Sequence, residues 1–224
     1  MSSSQRPAAT ARRRRGLLGG GTDGNQRLTV YAGLLLIVSF AALGVTIVAI
    51  GRLLWLHLFL GLLLIGPVAL KLASTGYRFM RYYTADRAYR AKGPPLPLLR
   101  GLAPVVVFFT VAVFASGVAL LVLGPSSRQP LDEIHKVSFI AWIVVTAVHV
   151  LGHLPETVDV LEDATRTRRE VLASPGAASS VRGRSGSAEP VPGGQARAAA
   201  LMISLLSGAA LAVALIGQYS VWTR

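Results

Sequence analysis

The chain has 224 residues, of which 52% are hydrophobic and only 15% are charged, and its mean hydropathy is +0.54. A soluble domain carries about 25% charged residues, so this composition excludes an ordinary soluble protein and indicates a membrane protein. The formal net charge of +13 does not indicate nucleic-acid binding, because the basic residues lie before and between the apolar runs, where they are typical of membrane topology.

In chain order, residues 1–27 are polar, small and basic, and we expect them to form a disordered cytoplasmic tail. Five apolar runs follow, each close to the roughly 20 residues that a helix needs to cross the hydrocarbon core. They cover residues 28–50, 53–74, 101–123, 132–154 and 198–218. The sequence therefore predicts an all-α membrane protein of five transmembrane helices, with a four-helix bundle over 28–154 and a fifth helix within 198–224.

The connections differ in character. Gly51-Arg52 predicts a tight turn, and residues 75–100 predict a basic, aromatic loop at the membrane interface. The cytoplasmic segment 155–197 begins with a short amphipathic extension of the fourth helix, followed by a Gly/Ser/Pro-rich flexible linker. In the fifth helix, small residues recur at four-residue spacing, which is typical of close helix packing: Ser204, Gly208 and Ala212.

The distribution of Arg and Lys predicts the orientation. The tail, the 75–100 loop and the 155–197 segment carry six basic residues each, whereas the opposite side carries only Arg52, Arg128, Lys136 and Arg224. Basic residues are retained on the cytoplasmic side, so we expect a multi-pass cell-membrane protein with a cytoplasmic N-terminus and an outer C-terminus. The preference for Arg over Lys is typical of a bacterial, GC-rich coding sequence.

The second and fourth spans carry nitrogen ligands at matching spacing. His57 and Lys71 are fourteen residues apart in the second span, as are His135 and His149 in the fourth. Fourteen residues rise about 21 Å and turn about 1400°, only some 40° short of four full turns. Each pair therefore shares a helix face. His57 and His135 lie at the predicted outer level, and Lys71 and His149 lie at the inner level.

This spacing, together with the stretch LHLFLGLLLIGPVALKLASTGYRF, resembles the four-helix core of membrane b-type cytochromes. Examples are cytochrome b of the quinol-oxidising bc complexes and the cytochrome b subunits of hydrogenases and formate dehydrogenases. In the bc-complex cytochrome, two parallel helices each carry two histidines that bind two stacked haems. His57, His135 and His149 match three of these four positions, and Lys71 departs from the pattern.

The resemblance implies haem b bound by His57 and His135, with one haem expected rather than two. Gly44 and Gly117 lie at the predicted haem depth, where a flat macrocycle needs small neighbours. His149 and Lys71 would then be a remnant of an inner site, with Lys71 pairing instead with a headgroup or a backbone carbonyl. The absence of cysteine excludes covalent c-type haem attachment.

The implied function is transmembrane electron transfer by an electron-transfer subunit rather than a stand-alone enzyme. Besides the lipid bilayer, its partners would be a quinone or a redox partner subunit. The alternative is a non-redox membrane protein, a packing subunit or a small transporter, in which the histidines are structural. A minor hypothesis joins Asp132 to His57 and His135 in an external metal site. No phosphate-binding loop, HExxH or GxSxG motif is present.

Overall fold

The computed structural model describes residues 20–84, 97–173 and 193–222. These residues form six α-helices and one short 3₁₀ turn, with no strand among them. The helices are α1 (Gly21–Val48), α2 (Ile50–Tyr83), α3 (Pro97–Leu123), α4 (Arg128–Ala173), α5 (Gly194–Ala214) and α6 (Ile216–Trp222). Five of them, α1 to α5, are long and apolar enough to cross a membrane, as the five apolar runs predict. The chain is an all-α, multi-pass membrane protein.

Several helices are longer than the apolar runs. Helix α1 begins at Gly21, so the last residues of the predicted tail are helical, and residues 1–19 lie outside the described part. Helix α2 continues to Tyr83, so the expectation that the loop begins at residue 75 was wrong. Polar and aromatic residues extend this helix beyond the apolar run because they suit the membrane interface.

Helix α4 continues past the apolar run to Ala173, so the predicted extension of the fourth span is part of the same helix. Of the predicted linker, residues 174–192 lie outside the described part, and α5 already begins at Gly194. The predicted fifth span divides at Leu215, after which α6 runs as a separate short helix.

Helices α1 and α2 are joined by a tight connection, as predicted. The residues with irregular backbone are Ala49 and Leu53, on either side of the predicted Gly51-Arg52 turn. Ala49 ends α1, and its carbonyl accepts hydrogen bonds from the backbone N–H groups of Arg52 and Leu53, both at 3.0 Å. Leu53 has non-helical dihedral angles, and regular α2 geometry follows it. Between α3 and α4, Gly124 has a φ of 74°, a conformation that glycine adopts without strain.

The transmembrane helices pack as two antiparallel hairpins, α1–α2 and α3–α4. Contacts within each hairpin are extensive, whereas few described residues of one hairpin contact the other, and α2 and α4 have no extensive contact with each other. We call the end of the bundle with His57 and His135 the histidine end, and the end with Lys71 and His149 the lysine end. The histidine-bearing helices therefore lie diagonally across the bundle.

Helix α5 packs along α2 through glycine contacts. A Cβ atom on Gly208 would lie 1.9 Å from the Leu63 carbonyl oxygen, and one on Gly66 would lie 1.9 Å from the Ser204 carbonyl oxygen. Pro67 has no N–H group, so the Leu63 carbonyl lacks the usual hydrogen bond from the residue four positions later in its helix. The Cα of Gly208 instead approaches that oxygen, as in the weak Cα–H···O contacts of close helix pairs. The predicted small-residue face of α5 is buried here.

Large apolar side chains cover the outside of the bundle. Val38, Val48, Phe108, Val137 and Leu151 are each at least 65% exposed within the structure. A membrane helix presents such side chains to lipid tails, which are as apolar as they are. The protein therefore contacts the lipid bilayer over this surface.

Candidate functional site at the histidine end

His57 lies on α2 and is held against α1 by a side-chain hydrogen bond. Its Nδ1 lies 2.9 Å from Oγ1 of Thr46, a threonine that is 1% exposed. The Thr46 hydroxyl donates to the carbonyl of Leu43 in its own helix. Because the hydroxyl proton is committed there, the oxygen accepts from an Nδ1–H group of His57. This tautomer leaves a lone pair on Nε2.

His135 is held in the same way in the second hairpin. Its Nδ1 lies 3.1 Å from the carbonyl oxygen of Val113 and 3.1 Å from Oγ of Ser116, both on α3. A carbonyl can only accept, so Nδ1 of His135 carries the proton. The Ser116 hydroxyl donates 2.7 Å to the Ala112 carbonyl and can accept the same proton. His135 therefore also has its lone pair on Nε2.

The two imidazoles lie on different hairpins at the same end of the bundle. His57 lies within electrostatic range of His135, which agrees with their predicted placement at one level. Both residues are partly buried, and no described residue forms a hydrogen bond with either Nε2. A metal-bound histidine usually donates its other ring N–H to a hydroxyl or carbonyl, which orients the ring and increases its basicity. Both histidines have this arrangement.

The two predicted glycines differ in their surroundings. A Cβ atom on Gly117 would lie 3.1 Å from Cε1 of His135, so the glycine makes room for the imidazole itself. A Cβ atom on Gly44 would meet nothing within 4 Å, so the space beside Gly44 is open. Gly117 thus contributes by letting the His135 ring lie against α3, close to its partners Val113 and Ser116.

Lys71 lies at the lysine end and donates 2.6 Å to the backbone carbonyl of Thr29 on α1. This contact agrees with the prediction that Lys71 pairs with a headgroup or a backbone carbonyl. Gly33 permits it, because a Cβ atom there would lie 3.1 Å from the Lys71 Nζ atom. Thr29 is also within 3.1 Å of the Ser74 hydroxyl, so Lys71 belongs to a polar contact between α1 and α2.

His149 and His153 lie one turn apart on α4, with ring centroids 4.7 Å apart. Lys71 lies within electrostatic range of His149, so the two residues predicted at the inner level lie at the same end of the bundle. The Nδ1 atom of His149 is buried and has no hydrogen-bond partner among the described residues.

Aromatic side chains separate the two ends. Phe40 on α1 lies 4.7 Å from Trp142 on α4 and 6.4 Å from Phe114 on α3, measured between ring centroids. The Trp142 indole N–H donates 2.9 Å to the Thr110 hydroxyl, so this buried polar atom is satisfied. This aromatic cluster of Phe40, Phe114 and Trp142 fills the middle of the bundle, where the sequence analysis placed no feature.

The external metal site with Asp132 is not formed. Within the described residues, no group of three His, Asp or Glu side chains is arranged to hold a metal ion. The Asp132 carboxylate instead pairs with Lys136 at 2.8 Å and with Arg128 at 3.5 Å. The sequence analysis also missed Thr46, Val113 and Ser116. The sequence did contain a signal for two of them. Thr46 and Ser116 are hydroxyl residues that lie close to Gly44 and Gly117 in the sequence, at the depth of the histidines.

Comparison of the chain with protein-family models, with curated proteins and with solved structures found no match. The residues of the site are therefore the basis on which a function can be assigned to this chain.

Proposed function

We propose that this membrane protein binds one haem b between its two hairpins, through Nε2 of His57 and of His135, and takes part in transmembrane electron transfer. The observation that carries the proposal is the matched pair of Nδ1 hydrogen bonds, one from each histidine to the first helix of its own hairpin. With the proton on Nδ1, the lone pair of each imidazole is on Nε2 and points away from the hydrogen bond. Two such lone pairs are what a six-coordinate haem iron needs.

The packing of the bundle supports the same assignment. The helices that carry the two histidines, α2 and α4, have no extensive contact with each other, so a ligand between the imidazoles would not replace a major helix–helix contact. Gly117 allows the His135 ring to lie close to α3. When bound, the haem iron would supply a one-electron couple, and two imidazole ligands would leave no open position for substrate. The resemblance to b-type cytochromes points to the same cofactor.

Because the proposed haem site lies near one end of the bundle, only molecules that reach that depth of the membrane could exchange electrons with it. Electrons would pass to or from a quinone in the bilayer or a partner subunit docked at the histidine end, because both can approach this depth of the membrane. The chain would then act as an electron-transfer subunit rather than a stand-alone enzyme.

A reduced-minus-oxidised visible spectrum of protein purified from haem-replete cells tests the proposal. We expect a haem b signal in the wild type that is lost in His57→Ala and in His135→Ala. His153→Ala is the matched control, because it removes an imidazole from the same helix as His135, and it should retain the signal. Circular dichroism should show equal helix content in all four proteins.

A colourless wild type, or a signal that survives both ligand substitutions, would refute the haem assignment. The alternative would then hold: a packing subunit or a small transporter in which the histidines tie each hairpin together. The same hydrogen bonds favour this alternative, since they join α1 to α2 and α3 to α4 without any cofactor.

A further inference from the structure

Helix α4 carries an apolar stripe on the side opposite the bundle. Its members recur at alternating spacings of three and four residues, so they occupy the a and d positions of a heptad pattern. They are Val137, Ile140, Val144, Ala147, Leu151, Leu154, Val158 and Leu161. Trp142, which is buried in the aromatic cluster, occupies the f position on the other side of the helix. This heptad stripe therefore faces away from the bundle.

The membrane-spanning part of the heptad stripe is widely exposed. Four of its side chains are each at least 60% exposed within the structure: Val137, Ile140, Val144 and Leu151. Lipid tails are as apolar as these side chains, so within the membrane either lipid or another helix satisfies them. The part of the stripe outside the membrane therefore decides which neighbour covers it.

Helix α4 continues beyond the membrane, and the heptad stripe continues with it. The apolar span ends at Pro155, whereas the helix runs on to Ala173. Val158 and Leu161 extend the stripe into this part, and Val158 is 42% exposed. Charged side chains of the extension lie off the stripe, at the b and e positions: Asp159, Glu162, Arg166 and Arg169. Lipid tails do not reach such an apolar edge in water, so its burial requires a second helix.

The residue types of the extension match a parallel two-stranded coiled coil. A β-branched residue at a with Leu at d favours two strands in such a coil. Val158 occupies an a position, and Leu154 and Leu161 occupy the d positions on either side of it. Two copies inserted in the same orientation hold their α4 helices parallel, so each stripe would meet the same stripe of its partner. Within the span, Ala147 at a d position permits close approach of the two helices.

We propose that the heptad stripe of α4 is the contact surface of a homodimer, in which α4 of a second copy packs in parallel along it from the membrane into the aqueous extension. A contact of each stripe with its own equivalent is the arrangement that two-fold symmetry requires. His135 occupies an f position, on the side of α4 that faces the bundle. Each copy would therefore keep its own histidine site, and the dimer does not depend on the haem assignment.

Disulfide cross-linking of the full chain in isolated membranes tests the dimer, because the chain has no cysteine of its own. Identical residues at the a or d positions of a parallel coiled coil face each other across the axis, and a disulfide needs Cα atoms within about 7 Å. With a mild oxidant we expect a covalent dimer from Val158→Cys and from Leu161→Cys. Asp159→Cys is the matched control, because it is an exposed neighbour of Val158 that lies off the stripe, and it should form no covalent dimer.

A charge on the stripe should abolish the contact. In the Leu161→Cys background, Val158→Lys should remove the covalent dimer, because it places two ammonium groups opposite each other in the seam. Asp159→Lys in the same background should leave the dimer unchanged. Both positions lie beyond Pro155, so neither substitution alters the apolar span.

Three results would overturn the proposal. Equal cross-linking of Val158→Cys, Leu161→Cys and Asp159→Cys would indicate random collision rather than a specific face. No cross-linking at any of the three positions would mean that no second copy covers the stripe. A disulfide-linked product whose mass differs from that of two chains would identify another protein as the neighbour.

Discussion

Thr46 and Ser116 occupy equivalent places in the two hairpins, and the hydroxyl oxygen of each can accept a hydrogen bond from the histidine of the next helix. Their surroundings are not equal. His57 depends on Thr46 alone, whereas His135 also has the Val113 carbonyl as an acceptor. The hydroxyl residues fix the tautomer and the ring orientation, so they act as positioning residues for whatever the Nε2 atoms bind.

This inequality predicts different costs for removing the two hydroxyls. Thr46→Val leaves the Nδ1–H group of His57 buried without an acceptor, and should lower the free energy of unfolding by about 1–3 kcal/mol. Ser116→Ala should cost less than about 1 kcal/mol, because the Val113 carbonyl still accepts from His135. Denaturant unfolding in detergent measures both values. Equal losses would show that the threonine does not hold His57.

Among the helices, α5 is joined most closely to α2. The contact involves Gly66 and Gly208, each of which lies against a backbone carbonyl of the opposite helix. A side chain at either position would meet backbone, which cannot move aside without separating the helices. Lipid offers no hydrophobic driving force for helix association, so close van der Waals packing determines how α5 docks.

Alanine substitutions in α2 test this contact with an internal control. Gly66→Ala should lower the free energy of unfolding by about 2 kcal/mol or more, because its Cβ atom would overlap the Ser204 carbonyl. Gly61→Ala places the same methyl group in the same helix, where nothing lies within 4 Å. It should be neutral or stabilising by up to about 1 kcal/mol, since alanine is the better helix former. Similar effects at both sites would argue against close docking of α5.

At the scale of the whole molecule, the two hairpins are separate packing units that meet through two sets of side chains. One is an apolar cluster that includes Leu62 on α2 and Leu121 on α3. The other is the aromatic cluster. Phe40 extends from the first hairpin to Trp142 and Phe114 in the second. Because the remaining backbone contacts between the hairpins are few, the relative position of the two histidines depends on these two sets of side chains.

Phe40→Ala should therefore loosen the bundle. We expect a loss of about 2–3 kcal/mol, less than in a soluble core because lipid tails are as apolar as the residues they would replace. Phe108→Ala is the matched control, because Phe108 is 65% exposed on the lipid-facing surface, and it should change little. Denaturant unfolding in detergent compares the two variants. An equal effect would mean that the aromatic cluster does not join the hairpins.

The absence of cysteine makes the predicted orientation easy to test. Single cysteines at Ser126, between α3 and α4, and at Ala88, in the basic sequence between α2 and α3, should lie on opposite sides of the membrane. We expect a membrane-impermeant maleimide to label Ser126→Cys in intact cells and Ala88→Cys only after lysis, because basic loops are retained in the cytoplasm. The reverse pattern would invert the topology.

The sequence by itself determined the number of membrane spans, since about 20 consecutive apolar residues have no other stable environment. It also predicted the paired levels, because a helix has a fixed rise and turn, so His57 and His135 belong at one depth. Helix ends were less predictable: α2 reaches Tyr83 because interfacial residues tolerate helix as well as loop.

The tertiary structure alone decided the chemistry of the site. The tautomers of His57 and His135 depend on which oxygen lies 3 Å away on a neighbouring helix, and the spacing within one helix carries no such information. The Lys71 contact with Thr29 likewise depends on how the helices pack. Membrane insertion follows from the composition of each segment, whereas hydrogen bonding between segments follows from their packing.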